Sequence, residues 1–277
     1  VRGTGFDHKS SENGGAVSHS GSHAEFDDCI FTSNQARRNG GAANSNNSTE
    51  TVFLNCRFAQ NTALLDDGGN IVYAGNGAAV YLKNCDLVNS EKMDFLLREW
   101  GGALQPAYLF FEGGAPSGER IVNKSAECGV FYVLDIAENA PEPDATKSVT
   151  LITGGGEISE FTRFANKDSF WKIPAVKRVG YIFDGWYGND LYTGVAVTNA
   201  EIGKTYFSKW VERPVSEIKA ESKENVKFTY GSALNAADFI VTKIYDNGET
   251  IVVDPKDYTI SPAELTSTGL ANVEITY

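Results

Sequence analysis

The chain is poor in the residues that build most metal and nucleic-acid sites. Its 277 residues include one methionine, three histidines and four cysteines (Cys29, Cys56, Cys85 and Cys128), with no C-x-x-C pair. Structural zinc sites draw on close ligand pairs, so zinc is not expected. Basic residues are outnumbered: 24 Lys and Arg against 36 Asp and Glu leave a net charge of −12, and no stretch forms a basic patch. Nucleic acid is therefore not an expected partner. Apolar runs fall far short of the ~20 residues that cross a bilayer as a helix, so no membrane insertion is expected. No signal peptide is visible at Val1, which opens a Gly-rich stretch, and the chain reads as a segment excised from a longer protein.

What the chain does have is a repeat. "CIFTSNQARRNGGA" at 29–42 and "CRFAQNTALLDDGG" at 56–69 share one order of residues: Cys29, Phe31, Asn34, Ala36 and Gly40–Gly41 match Cys56, Phe58, Asn61, Ala63 and Gly68–Gly69. A degenerate copy with Phe6, Asn13 and Gly14–Gly15 precedes them, and one with Cys85, Leu87 and Asn89 follows. A period in the twenties with short apolar runs indicates a stacked solenoid. In "TVFLNCRF" alternation places Val52, Leu54, Cys56 and Phe58 inward and Phe53, Asn55 and Arg57 outward. In "AAVYLKNCDL" it places Val80 and Leu82 inward and Tyr81 and Lys83 outward. Cys85 is also inward, across a break of parity at Asn84.

The expected fold is all-β, beginning with a right-handed parallel β-helix whose coils rise by about 4.8 Å, the strand spacing. Cysteines and phenylalanines stack as interior fillers, asparagines form a ladder, and double glycines turn a tight corner. The motif resembles the polymorphic outer membrane protein repeat of bacterial surface proteins. Phe31–Asn34 and Phe58–Asn61 supply its Phe-x-x-Asn element, and Gly14-Gly15-Ala16-Val17 and Gly40-Gly41-Ala42 its second. Gly68-Gly69-Asn70-Ile71 departs at the alanine, and Ala43 departs at the aliphatic position.

Three segments follow one another. Residues 1–147 comprise the coils, closing strands such as "AYLFFEGG" and "GVFYVLDIA", and a linker, "ENAPEPDATK". Residues 148–211 contain Val149-Thr150-Leu151, Gly154–Gly156, Ile173-Pro174, Gly180-Tyr181, Phe183-Asp184-Gly185-Trp186-Tyr187 and Tyr206-x-x-Lys209-Trp210. This stretch resembles the Listeria–Bacteroides (internalin B-repeat) family, which implies a small β-grasp-like module. Tyr181, Phe183, Trp186 and Trp210 are expected to form its aromatic core. Residues 212–277 alternate short strands and turns, with Asp246-Asn247-Gly248-Glu249 predicting a type I′ hairpin. They resemble a bacterial immunoglobulin-like β-sandwich, whose last strand is expected to lie beyond Tyr277.

Catalysis on a β-helix needs carboxylates brought together. The acidic doublets Asp27–Asp28 and Asp66–Asp67 sit at different places relative to their coil's cysteine and cannot stack. The motifs of pectin hydrolases are absent, and Arg37–Arg38 lies away from Asp27, so a lyase arrangement is not formed. His8, His19 and His23 all lie in the first coil; His19 and His23 fall in the Ser/Gly-rich stretch "SHSGSHAEF", read as a loop, where a spacing of four gives no shared helical face, so exposed loop histidines are expected over the alternative of a weak transition-metal site. Gly154–Gly156 has no helix behind it to hold a phosphate. Lys227 and Lys243 are candidates for an isopeptide crosslink with no partner identifiable. No catalytic residue, metal ligand or cofactor site is assigned.

The expectation is a non-enzymatic, adhesin-like piece of an extracellular protein, secreted or held at a bacterial cell surface. Its β-helix binds host or matrix glycans or proteins, and the small modules serve as a stalk. The outward residues Phe53, Asn55, Tyr81 and Lys83 form the expected binding strip. Cys29, Phe31, Asn34, Cys56, Phe58, Asn61 and Cys85 are expected to hold the coils. The alternative is the C-terminal part of a β-helix polysaccharide lyase or hydrolase whose catalytic coils lie upstream.

Overall fold

The structure is a computed structural model that describes residues 1–7, 9–65, 68–88, 93–99, 106–113, 116, 120–125, 128–135, 148–158, 173–224, 226–266, 268–269 and 271–277. Asn89 and the linker 138–147 lie outside the described residues. The fold is all-β, 53% strand and 3% helix, and contains a parallel solenoid of about four turns. The first coil runs β1 (Gly5–Asp7), β2 (Ser10–Asn13), β3 (Val17–Ser20) and β4 (His23–Asp27). The second runs β5 (Ile30–Thr32), β6 (Gln35–Asn39), β7 (Ala43–Asn46) and β8 (Glu50–Leu54). The third runs β9 (Arg57–Ala59), β10 (Thr62–Ala63), β11 (Val72–Gly75) and β12 (Ala79–Lys83).

Above them come β13 (Asp86–Leu87), β14 (Phe95–Arg98), β15 (Tyr108–Glu112), β16 (Ile121–Asn123), β17 (Gly129–Leu134) and β18 (Ser148–Ile152). Later strands are β19 (Glu157–Ile158), β20 (Val176–Lys177), β21 (Tyr181–Tyr187) and β22 (Thr205–Glu212). Equivalent strands stack into parallel ladders, the longest of which carries β4, β8, β12, β15, β17, β18 and β22 in order.

The interior explains the repeat. Phe6, Phe31 and Phe58 form one column, adjacent rings 4.8 Å apart and nearly parallel. Phe26 and Phe53 form a second, 5.3 Å apart, set edge-on to the first. Edge-to-face and offset contacts between rings suit their quadrupoles, so the two columns fill the coil without a sandwich clash. Each of the three repeat cysteines sits at a corner and donates its thiol to the carbonyl two residues back: Cys29 to Asp27, Cys56 to Leu54 and Cys85 to Lys83. Cys56 and Cys85 also reach the carbonyls of Phe26 and Phe53. No disulfide links the four cysteines.

Asn34 and Asn61 satisfy another corner, where Asn61 accepts from the Asn34 backbone and side-chain amides and donates to the Phe31 carbonyl. At the glycine corner Gly40 has φ +67°, and a Cβ on Gly41 would lie 2.1 Å from the Asn70 carbonyl oxygen of the next coil. Only the bare backbone fits there.

One strand faces opposite to the alternation reading. Phe53 is fully buried in the coil interior, and Val52 and Leu54 point outward. Alternation back from Cys56 passes through Asn55, whose left-handed backbone, φ 52°, turns the chain and resets inside and outside. Asp28 and Asn84 hold the same angle at the same corner of their own coils. The register agrees, since Leu82 stands beside Phe53 and Tyr81 beside Val52.

The expected boundary between 147 and 148 is not a break in the sheet. β18 pairs in parallel with β17, and β22 pairs in parallel with β18, so this stretch extends the solenoid's longest ladder. Tyr108, Phe110, Phe131, Val149 and Leu151 are fully buried. Tyr108, Phe110 and Phe131 alternate with the inward Leu109, Phe111 and Val130, so the outer face of the ladder is covered at this level.

The chain divides into two compact units, one of Val1–Val176 with Asp184–Lys209 and one of Lys177–Phe183 with Trp210–Tyr277. The four aromatics expected in one core therefore fall in both. Tyr181 and Phe183 pack on Trp210 at 6.5 and 5.5 Å in the second unit. Trp186 belongs to the first, 2% exposed, its indole N–H on the Pro174 carbonyl at 2.8 Å. Gly185, at φ +114°, breaks the alternation between Phe183 and Trp186.

The second unit continues with β23 (Val215–Ser222), β24 (Phe239–Tyr245) and β25 (Thr250–Val252), an antiparallel sheet, and with the antiparallel pair β26 (Thr259–Ser261) and β27 (Glu274–Thr276). Its hairpin at 246–248 is a three-residue loop rather than a type I′ turn: Gly248 alone takes positive φ, and Tyr245 N–H closes onto the Glu249 carbonyl at 2.9 Å. The Asn247 side chain accepts from Glu249 N–H instead of turning its own backbone.

Candidate functional site

On the outer face of the long ladder, β4, β8 and β12 carry the residues around a groove. Along it Glu25, Val52 and Tyr81 stand in one row and Asp27, Leu54 and Lys83 in the next. These rows floor a groove of about 370 Å³ lined by His23, Glu25, Val52, Leu54, Asn55, Tyr81, Lys83, Asn84 and Ile158. Three of the four residues expected in a binding strip, Asn55, Tyr81 and Lys83, meet in it. Phe53 does not, for the backbone reason given above.

Val52 and Tyr81, each 4% exposed, lie beneath the groove, and charged groups stand at both its ends. At one end His23 Nδ1 lies 3.0 Å from Glu50 Oε2, with Nε2 3.9 Å from Glu25 Oε2. His19 sits beyond, its ring nitrogens on Thr51 Oγ1 and Ser22 Oγ. Burial and the nearby His23 lower the pKa of His19. Asn55 donates to Asp27, which also pairs with Arg2 at 3.2 Å. At the other end the Lys83 ammonium is shared by two carboxylates, Glu112 Oε1 at 3.0 Å and Glu157 Oε1 at 3.2 Å. Glu112 is Lys83's register partner on β15, and Glu157 arrives from β19.

Beyond Lys83 a second hollow of about 370 Å³ is lined by Glu112, Asp135, Glu157 and the turn Gly155–Gly156, among others. Burial and the Glu157 carboxylate push the Glu112 carboxyl up to about 7 against the pull of Lys83. The second oxygen of Glu112 is buried with no hydrogen-bond partner. An acid in such surroundings favours its neutral form.

Several residues of this site escaped sequence reasoning. Glu112 was within reach of it: "AYLFFE" ends on Glu112 as "AAVYLK" ends on Lys83, and aligning the two apolar runs pairs them. Glu157 and Ile158 carry no such signal, because a separate strand far along the chain brings them in. Asp27 lies on the groove's edge and Asp28 at the corner, while His8 and Asp66–Asp67 lie outside the described residues. Gly154 and Gly155 turn the chain between β18 and β19, both at positive φ. Lys243, the other lysine considered for a crosslink, donates to the Tyr277 hydroxyl. Among the described residues no group of three or more His, Cys, Asp or Glu is placed to hold a metal ion, and no helix is long and apolar enough to cross a membrane.

No protein-family model matches the sequence, and comparison with curated proteins and with solved structures finds no match.

Proposed function

We propose that the chain is a non-enzymatic, adhesin-like binding piece of an extracellular bacterial protein, secreted or held at the cell surface. Its solenoid offers host or matrix glycans or proteins the groove across β4, β8 and β12. The observation that carries this reading is the groove itself, where the partly exposed Leu54 and Ile158 meet the polar side chains of His23, Glu25, Asn55, Lys83 and Asn84, a mixture suited to a ligand with apolar and hydroxyl-bearing faces. The B-repeat-like and immunoglobulin-like motifs of the later segments, and the right hand expected of the coils, belong to the same reading, with those segments as a stalk. The test is retention on a panel of immobilised polysaccharides, with the soluble phase assayed for new reducing ends or unsaturated products. Retention without product supports the reading.

One observation favours a second reading, part of a polysaccharide hydrolase or lyase. Glu112, still half protonated near neutral pH, stands near the Glu157 carboxylate across one ammonium, and a neutral acid near an ionised one is an arrangement used in glycoside cleavage. Product release that Glu112→Gln abolishes would establish it in place of the first.

A further inference from the structure

Cys56 and Cys85 occupy the same corner of successive coils. Leu54 stands beside Lys83 and Arg57 beside Asp86, so the parallel register runs unbroken past both thiols. The backbones stay bonded across the corner: Asn55 N–H donates to the Lys83 carbonyl at 2.9 Å and Asp86 N–H to the Cys56 carbonyl at 2.8 Å. Stacked strands bring equivalent backbone positions to about 4.8 Å, inside the roughly 4.4–6.8 Å between Cα atoms that a disulfide spans. The two side chains also hydrogen-bond to each other. Cys29 stands beneath Cys56 in the same stack, but both are 1% exposed, whereas Cys85 is partly exposed. The hydrogen bond from Cys56 lowers the pKa of Cys85 against the effect of burial, and it acts with burial to raise that of Cys56. A more acidic thiol within reach of solvent, beside a second that keeps its proton, is the arrangement of an oxidant-sensitive pair.

We propose that Cys85 is a site of oxidation by hydrogen peroxide and that Cys56 resolves the product to a disulfide between neighbouring coils. The Cys85 thiolate attacks one peroxide oxygen; the S–O bond forms as the O–O bond breaks, and the departing hydroxide takes up the proton the thiol gave and leaves as water. Cys56 then attacks the sulfenic sulfur; the S–S bond forms as the S–O bond breaks, and hydroxide leaves with the Cys56 proton as a second water. Two thiols lose two electrons and one peroxide is reduced to two waters. The bond ties the corner after β8 to the corner after β12. Cys29 is closed off from solvent, and Cys128 lies elsewhere, its sulfur accepting from Ala107 N–H at 3.2 Å, so neither takes part. The assignment is independent of the groove reading.

The experiment treats the reduced whole chain with hydrogen peroxide, alkylates the remaining thiols and maps tryptic peptides by mass spectrometry. Arg37, Arg38, Arg57 and Lys83 place the three stacked cysteines on separate peptides. The intact chain should lose two hydrogen atoms, with one crosslink joining the Cys56 and Cys85 peptides, Cys29 and Cys128 alkylated, and both thiols recovered by a reductant. Cys56→Ala should leave a sulfenic acid at Cys85 that dimedone captures, and Cys85→Ala should abolish the loss of hydrogen. The map of the native chain decides by itself if either variant fails to fold. In denaturing urea the Cys29–Cys56 and Cys56–Cys85 pairs, which close loops of similar length, should form alike. No loss of hydrogen, a Cys29–Cys56 crosslink in the folded chain, a crosslink between two chains, or the same mixture of pairs with and without urea overturns the proposal.

Discussion

Asn34 Nδ2 donates to Asn61 Oδ1 at 2.9 Å, one coil to the next, with both side chains out of contact with solvent. The pair makes the repeated Phe-x-x-Asn element a structural device: Asn61 also takes the Asn34 backbone N–H and caps the Phe31 carbonyl. Asn61→Ala leaves these buried groups without partners. Each such group costs about 1–3 kcal/mol, so the variant should lose about 3 kcal/mol in chemical denaturation. A loss below half a kcal/mol would show that water replaces the ladder.

The reversal of inside and outside on β8 separates two neighbours. Phe53→Ala empties the centre of two ring columns and should cost about 3–5 kcal/mol. Val52→Ala, which removes only two methyl groups from a buried side chain on the other face, should cost about 1.5–2.5 kcal/mol, less than the ring. Comparable losses in the two variants would contradict the placement of Phe53.

Gly41→Ala should disrupt the glycine corner, because the added methyl would meet the Asn70 carbonyl oxygen and the Thr62 backbone at 2.1–2.6 Å. The coils must separate locally, and the melting temperature should fall. An unchanged melt would mean that the corner is wider than the structure has it.

Glu112 gives the chain a pH dependence of defined sign. Its folded pKa is raised, from 4.5 to about 7, so the folded chain holds the proton more strongly than the unfolded one. The contribution is fully present below 4.5 and is lost as pH rises through about 7. Glu112→Gln removes this slope. The stability of the native chain relative to the variant should therefore fall between pH 5 and 8, by on the order of 2–3 kcal/mol. A constant difference across that range would place Glu112 in an ordinary solvated setting.

The coils were legible because a solenoid writes the same contacts once per turn. Cys29 and Cys56, Phe31 and Phe58, and Asn34 and Asn61 could be aligned without knowing the fold. The facing of β8 was not legible, since one residue in a left-handed conformation, Asn55, reverses the count and asparagine is common in other settings too. Val80 and Leu82 were assigned correctly because they were read within their own strand, with the break left at Asn84. The lining of the groove was half legible. Asn55, Tyr81 and Lys83 came from the repeat, whereas Glu157 and Ile158 reach the groove through tertiary packing of a later strand. The change of motif at 147/148 does not interrupt the ladder, because β18 pairs in parallel with β17.

The central claim is that ligand lies on the outer face of β8 and β12, and methyl-resolved NMR tests it most directly. Methyl-labelled chain is titrated with the glycan oligomer that binds best. Val52 and Leu54, on the groove floor, should shift progressively, while Val80 and Leu82, one face away in the coil interior, stay in place. Saturable shifts confined to other surfaces, with Val52 and Leu54 unmoved, would contradict the account.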